Sequence, residues 1–172
     1  AAAILKRIKE GHNICIFPEG NTTFSGETGK LHKTTAKLIK HAKAALVTYR
    51  IKGGYLTQPR WSRFTRRGLM TGGPVHIYTA EEIQRMSEEE LMQCIENDLY
   101  TNAYEEQKSN PVAFKGKRIA ECLETALYLC PVCGNIGSLK SRDDTLFCSC
   151  GLKLRYTEYG YLESMNDQKP PF

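Results

Sequence analysis

The chain has 172 residues, 41% hydrophobic and 25% charged, with a formal net charge of +5. This is a globular composition, long enough for one domain with a core plus a small appendage, and no run of eighteen apolar residues is present to cross a membrane as a helix. The charge is uneven. No Asp or Glu occurs between Glu27 and Glu81, an interval holding eleven of the 24 Lys and Arg residues, which implies a phosphate-rich partner such as an anionic membrane surface, a phosphorylated substrate or a nucleic acid.

The amphipathic stretch Ile4-Leu5-Lys6-Arg7-Ile8-Lys9-Glu10 reads as the later part of a helix ended by Gly11, and no signal peptide is visible. With no initial Met, a portion preceding residue 1 is expected. Ile14, Ile16 and Phe17 read as the end of a buried strand that Pro18 and Gly20 stop. Glu19 is then delivered at the carboxyl end of a strand, where open α/β sheets gather their ligands; an ordinary strand-to-loop turn is the plainer alternative. Residues 30–43 predict an amphipathic helix, with Leu31, Thr35, Leu38, Ile39 and Ala42 on one side and Lys30, Lys33, Lys37 and Lys40 on the other. Residues 45–51 follow as a strand, completing a βαβ-like unit and predicting an α/β fold with a parallel sheet flanked by helices.

After Gly53-Gly54, the cations Arg60, Arg63, Arg66 and Arg67 interleave with Trp61 and Phe64, a pattern suited to nucleic acid or to a membrane interface. Residues 75–78 read as a further strand. Thr79 with Glu82, and Ser87 with Glu90, each match a capping box, the second opening a helix that carries Leu91, Ile95, Leu99 and Ala103 at four-residue spacing. Pro111 and Gly116 break that helix, and residues 117–129 predict another, with Ile119, Leu123, Ala126 and Leu127 apolar. His12, His32, His41 and His76 read as surface or core residues, since none has an Asp five positions on.

Of seven cysteines, Cys15, Cys94 and Cys122 are scattered and are expected to pack as small buried thiols. The other four form Cys130-Pro131-Val132-Cys133-Gly134 and Cys148-Ser149-Cys150-Gly151. Each pair reads as a metal knuckle, in which a tight turn presents two thiolates and the following glycine relieves crowding. The spacing is that of a zinc ribbon, with C-x-C in place of the second C-x-x-C; disulfides are the alternative, disfavoured by the unpaired cysteines and the missing secretion signal. Four thiolates leave no open position, so a Zn2+ held by Cys130, Cys133, Cys148 and Cys150 would be structural. The flanking runs 145–147 and 152–156 read as strands of a module too small to fold without metal.

Phe17-Pro18-Glu19-Gly20, followed by polar Asn21-Thr22-Thr23 and a basic helix, resembles the third conserved block of the glycerophospholipid acyltransferases, among them the 1-acylglycerol-3-phosphate acyltransferases. The likeness covers residues 1–106, and the cysteine module resembles an appendage of some bacterial members. It implies a partial acyltransferase sheet flanked by helices, with Phe17, Pro18, Glu19, Gly20, Thr22 and Lys30 at the acceptor. The family's general base is the His of a His-x-x-x-x-Asp pair, which is not present here, so no catalytic residue is assigned to this chain and it is expected to be inactive alone. The family's usual Arg two positions after the Gly is Thr22, so phosphate binding is expected to pass to Lys30, Lys33 or the arginines at 60–67. The fourth block's strand proline is also missing from residues 45–51.

The implied partners are an acyl-CoA or acyl carrier protein donor, a lysophospholipid acceptor and an anionic membrane surface, with the protein peripheral at the cytoplasmic face of the cell membrane. Nucleic acid is disfavoured, although a zinc-ribbon protein that binds nucleic acid or protein without catalysis is the rival reading. The expected division is an acyltransferase domain at 1–127, the ribbon-like module at 128–163 and a tail at 164–172.

Overall fold

A computed structural model of the protein describes residues 2–166; the part of the expected tail from 167 onward lies outside the described residues. In chain order the first elements are α1 (Ala2–Lys9), α2 (Thr35–Ala42), β1 (Leu46–Lys52), α3 (Gly54–Thr57), β2 (Thr71–Tyr78), α4 (Ala80–Arg85) and α5 (Glu88–Leu99). They are followed by α6 (Ala103–Ser109), a 3-10 turn (Leu123–Thr125), and β3 (Leu139–Arg142), β4 (Thr145–Cys148), β5 (Lys153–Tyr156) and β6 (Leu162–Ser164). Two compact units form. Among the described residues, one takes 2–22, 28–51 and 72–101, and the other takes 23–27, 52–71 and 102–166. The mixed α/β class is therefore observed, with two small sheets.

In the first unit, Leu31, Ala36, Tyr78, Ile83, Leu91 and Ile95 form the core. Both capping boxes are present: the Thr79 and Ser87 hydroxyls accept the N–H groups of Glu82 and Glu90, whose carboxylates accept the backbone N–H groups of Thr79 and Ser87. These bonds satisfy donors that a helix start otherwise leaves open. At the other end of α5, the Asp98 carboxylate accepts the hydroxyls of Thr48 and Tyr78, each at 2.8 Å. Arg50 Nε donates to the Asp98 carbonyl at 2.8 Å, placing a cation at the helix terminus that carries partial negative charge. Burial, then the Asp98 hydrogen bond, pushes the Tyr78 hydroxyl well above its usual pKa, so it remains a donor.

The parallel sheet expected here does not form. β1 pairs with β2 alone, and Thr48 lies against His76 while Gly72 lies against Tyr49 and Arg50, so the two strands run in opposite directions. Residues 14–17 are not a strand, and Ile14, Ile16 and Phe17 are exposed, Phe17 to 76%. Apolar side chains make a buried strand only where neighbouring strands and a covering layer exist, and these three residues have neither. Inward the sheet buries Thr48 together with Tyr78, with Leu46 against the core, while Val47, Tyr49, Ile51, Val75 and Ile77 are exposed on its outward face. The first helix after the loop starts at Thr35 rather than at residue 30, because Leu31 is buried and His32 N–H bonds the Pro18 carbonyl at 2.9 Å, which fixes that stretch as a turn.

In the second unit β3, β4, β5 and β6 form an antiparallel meander in that order. Only the β4 and β5 runs were expected. The buried residues Leu139, Leu146, Leu154, Tyr156, Cys130 and Cys148 pack with Trp61, Ile119, Ala120 and Leu123 in one core. The helix expected over 117–129 reduces to one 3-10 turn. Arg118 and Cys122 have positive φ, at 58° and 71°, which a right-handed helix does not allow. The segment instead inserts Ile119, Ala120 and Leu123 into the sheet core while Cys122 N–H bonds the Ser141 hydroxyl.

Trp61 and Arg66 are 5% and 2% exposed, so they do not form the outward cation-aromatic surface that their spacing suggests. Nor are the scattered cysteines buried thiols: Cys15 is exposed, and Cys94 and Cys122 are half-buried. These are small side chains on segments whose outer faces stay open.

Leu91→Ala in the first core is expected to lower stability by about 2–5 kcal/mol, against about 1 kcal/mol for Ser87→Ala, as measured by urea unfolding. The Ser87 backbone N–H holds the Glu90 carboxyl below its ordinary pKa. Its stabilisation is therefore full above the unfolded value of about 4.3 and lost as pH falls through the lower folded value. An acid titration of helix content should show this step in the native chain and a smaller one in Glu90→Gln.

Candidate functional site

Two features gather residues with chemistry. In the second unit the Sγ atoms of Cys130, Cys133, Cys148 and Cys150 lie within 4.8 Å of one another and could hold a metal ion. The sequence pairs come from two turns, and sulfurs also approach one another across them: Cys130 to Cys150 and Cys133 to Cys148, each 3.8 Å. In the first turn the Gly134 N–H bonds the Cys130 carbonyl at 2.9 Å and the Cys130 N–H bonds the Asn135 carbonyl at 3.1 Å. In the second, the Gly151 N–H bonds the Cys148 carbonyl at 3.1 Å and the Cys148 N–H bonds the Leu152 carbonyl at 2.9 Å. Gly134 and Gly151 have φ of 71° and 99°, a conformation that L side chains rarely adopt.

Cys148 and Cys150 do not ionise alike. The Cys150 backbone N–H pulls Cys148 down to about 6. The Leu152 N–H also pulls on Cys150, but burial and the neighbouring cysteines outweigh it and raise this thiol to about 11. One thiolate is therefore ready near neutral pH, while further thiolates beside it repel one another until a cation neutralises them. Ser138, with Oγ 3.3 Å from Cys148 Sγ and its hydroxyl donating to the Asn135 carbonyl, is a supporting residue that the cysteine spacing did not reveal.

In the first unit, Phe17, Pro18, Glu19 and Gly20 form one tight turn. The Gly20 N–H bonds the Phe17 carbonyl at 3.0 Å with Gly20 at φ 75°, and Pro18 supplies the fixed φ such turns favour. Glu19 is therefore delivered by a turn rather than by a strand end. Its carboxylate accepts the Gly29 N–H, and a Cβ on Gly20 would come 2.8 Å from His32 Nε2. The loop thus closes on the segment leading into α2. Lys30 is exposed directly after Gly29, and Thr22 is exposed two residues beyond Gly20. Of the cations expected to bind phosphate, Arg66 is buried, whereas Lys30, Lys33, Arg60, Arg63 and Arg67 are exposed. Among the histidines, His76 stacks on Tyr78 with ring centres 4.2 Å apart, and His12 and His41 are exposed.

Comparison with family models, with curated proteins and with solved structures finds no match in any of the three.

The purified chain is expected to carry one metal ion, and Cys130→Ser with Cys133→Ser should abolish its retention, as read by elemental analysis. Because ligation requires thiolates, metal should also be released on acidification, at a pH below the value of about 6 that Cys148 has in the metal-free chain, since a coordinated thiol is held deprotonated.

Proposed function

We propose that this chain is the acceptor-binding part of an acyltransferase that moves an acyl chain from a thioester donor, acyl-CoA or acyl carrier protein, to 1-acylglycerol-3-phosphate at an anionic membrane surface. The observation that carries this reading is the turn at Pro18 to Gly20, which holds a single half-buried carboxylate beside the exposed Lys30. In this role Glu19 accepts a hydroxyl of the glycerol in place of, or together with, the Gly29 N–H, and Lys30 and Lys33 attract the phosphate. Gly20 is needed for its positive φ and for room beside His32. Proton removal from the attacking hydroxyl requires a general base, and no His-x-x-x-x-Asp occurs in these 172 residues. These residues therefore bind and orient the acceptor without completing the transfer.

We further propose that the ion at the four cysteines is zinc. A tetrahedron with corners about 2.3 Å from its centre, the zinc–thiolate bond length, has edges of about 3.8 Å, which matches the two sulfur separations of 3.8 Å. Zinc with four thiolates supplies no reactive position and acts by fixing the turns.

Titration with a short-chain lysophosphatidic acid, followed by calorimetry, tests the acceptor site. Glu19→Ala is expected to weaken binding about tenfold, equivalent to about 1.4 kcal/mol; equal binding by the native and Glu19→Ala chains would sink the assignment, as would acyl transfer from acyl-CoA by this chain unaided.

A further inference from the structure

The cysteine module has two surfaces that the metal does not explain. Between Glu124 and Lys140 the sequence contains no charged residue, although this stretch lies at the surface. Tyr128, Leu129, Val132 and Ile136 are 62%, 51%, 50% and 76% exposed, and Leu129 and Ile136 face each other across an antiparallel bridge. The first metal-binding turn is therefore an uncharged tip with aliphatic side chains in water, an arrangement that is costly without a partner.

Behind this tip the sheet carries cations in register. Lys140 on β3 pairs with Phe147 on β4, which pairs with Lys153 on β5. This rung adjoins both metal-binding turns, since β3 starts at Leu139, β4 ends at Cys148 and β5 starts at Lys153. Both lysines are exposed, and Phe147 between them is half-buried. Two residues further on, the same face carries Arg142, Thr145 and Arg155. There the charge is offset, because Asp144 lies 3.6 Å from Arg155 and Glu163 pairs opposite it. Among these residues, uncompensated positive charge is thus concentrated on the rung nearest the apolar tip.

Aliphatic tips with Tyr at their margin and lysines one rung behind match the profile of an anionic lipid bilayer, which is apolar inside and negative at its headgroups. A nucleic acid fits less well. It would need cations and stacking rings at the exposed tip, where the charge-free stretch offers mainly Leu, Val and Ile. We propose that the metal-bound turn at Cys130 to Cys133 is a membrane-docking tip, inserting Val132 and Ile136 among the lipids of an anionic surface while Lys140 and Lys153 bind headgroup phosphates. This deepens the membrane-surface reading above and gives the module a task separate from the acceptor loop.

Co-sedimentation of the metal-loaded full chain with phosphatidylcholine vesicles, with and without phosphatidylglycerol, tests the proposal. The native chain is expected to bind the anionic vesicles preferentially. Val132→Asp with Ile136→Asp, and separately Lys140→Glu with Lys153→Glu, should each weaken binding at least about tenfold, with metal content and circular dichroism unchanged. Glu19→Ala should bind vesicles as the native chain does. Vesicle binding without lysophosphatidic acid binding would leave the docking tip standing and remove the acyltransferase reading; the reverse would remove only the tip. The proposal is overturned if the native chain ignores anionic vesicles, if the tip variants bind them equally, or if a single-stranded oligonucleotide binds the lysine rung and displaces the vesicles.

Discussion

A cation buried without a carboxylate ties the second unit together. The Arg66 guanidinium lies 5.0 Å from the Trp61 ring centre and 4.9 Å from that of Tyr156, so two π faces take the place of a counter-ion. Its remaining donors reach the carbonyls of Leu56 and Ile119 and the Tyr156 hydroxyl, leaving Nε unbonded. Arginine cannot escape such a position by losing its proton, as lysine can. The chain before Trp61, the segment at Ile119 and strand β5 must therefore converge on this one group. Trp61 closes the arrangement by donating its indole N–H to the Tyr55 hydroxyl at 3.2 Å.

The consequence is that the cysteine module does not stand on its four cysteines alone. Its strands are short, four residues or fewer, and such a sheet buries too little by itself. The rest of the core comes from residues 61 and 119–123, which lie outside the two turns. The first unit solves a similar shortage differently. There two strands are attached to α5 through hydrogen bonds from Thr48, Arg50 and Tyr78 to Asp98 of the helix, while Val47, Tyr49, Ile51, Val75 and Ile77 point outward.

What the sequence revealed follows from how local each signal is. The capping boxes at Thr79 and Ser87 involve residues three apart, so their chemistry is complete within a single turn. The cysteine turns are equally local, and β4 and β5 follow from apolar alternation next to them. Residues 14–17 misled because an apolar run records what a side chain prefers and not whether a neighbouring strand is there to meet it. Residues 117–129 misled for a related reason: their apolar spacing suits one face of a helix, but the same side chains also fill a sheet core from an irregular segment, and the positive φ at Arg118 and Cys122 has no composition signal. Arg66 was legible as a cation near aromatics. Its burial was not, because its partners Ile119 and Tyr156 lie far along the chain. The turn around Glu19 was legible in Pro18 and Gly20, whereas the contacts with Gly29 and His32 depend on how the loop closes.

Trp61 is the single tryptophan of the chain, and it shares its core with Cys130 and Cys148. Any ligand that binds only the folded form of those turns shifts the folding equilibrium by mass action, so a metal ion held there would also stabilise the packing of a segment far upstream of the cysteines. The indole, seated against the Arg66 guanidinium and the edge of Tyr156, would thereby act as an internal optical gauge of that binding, readable in the untagged protein without a dye.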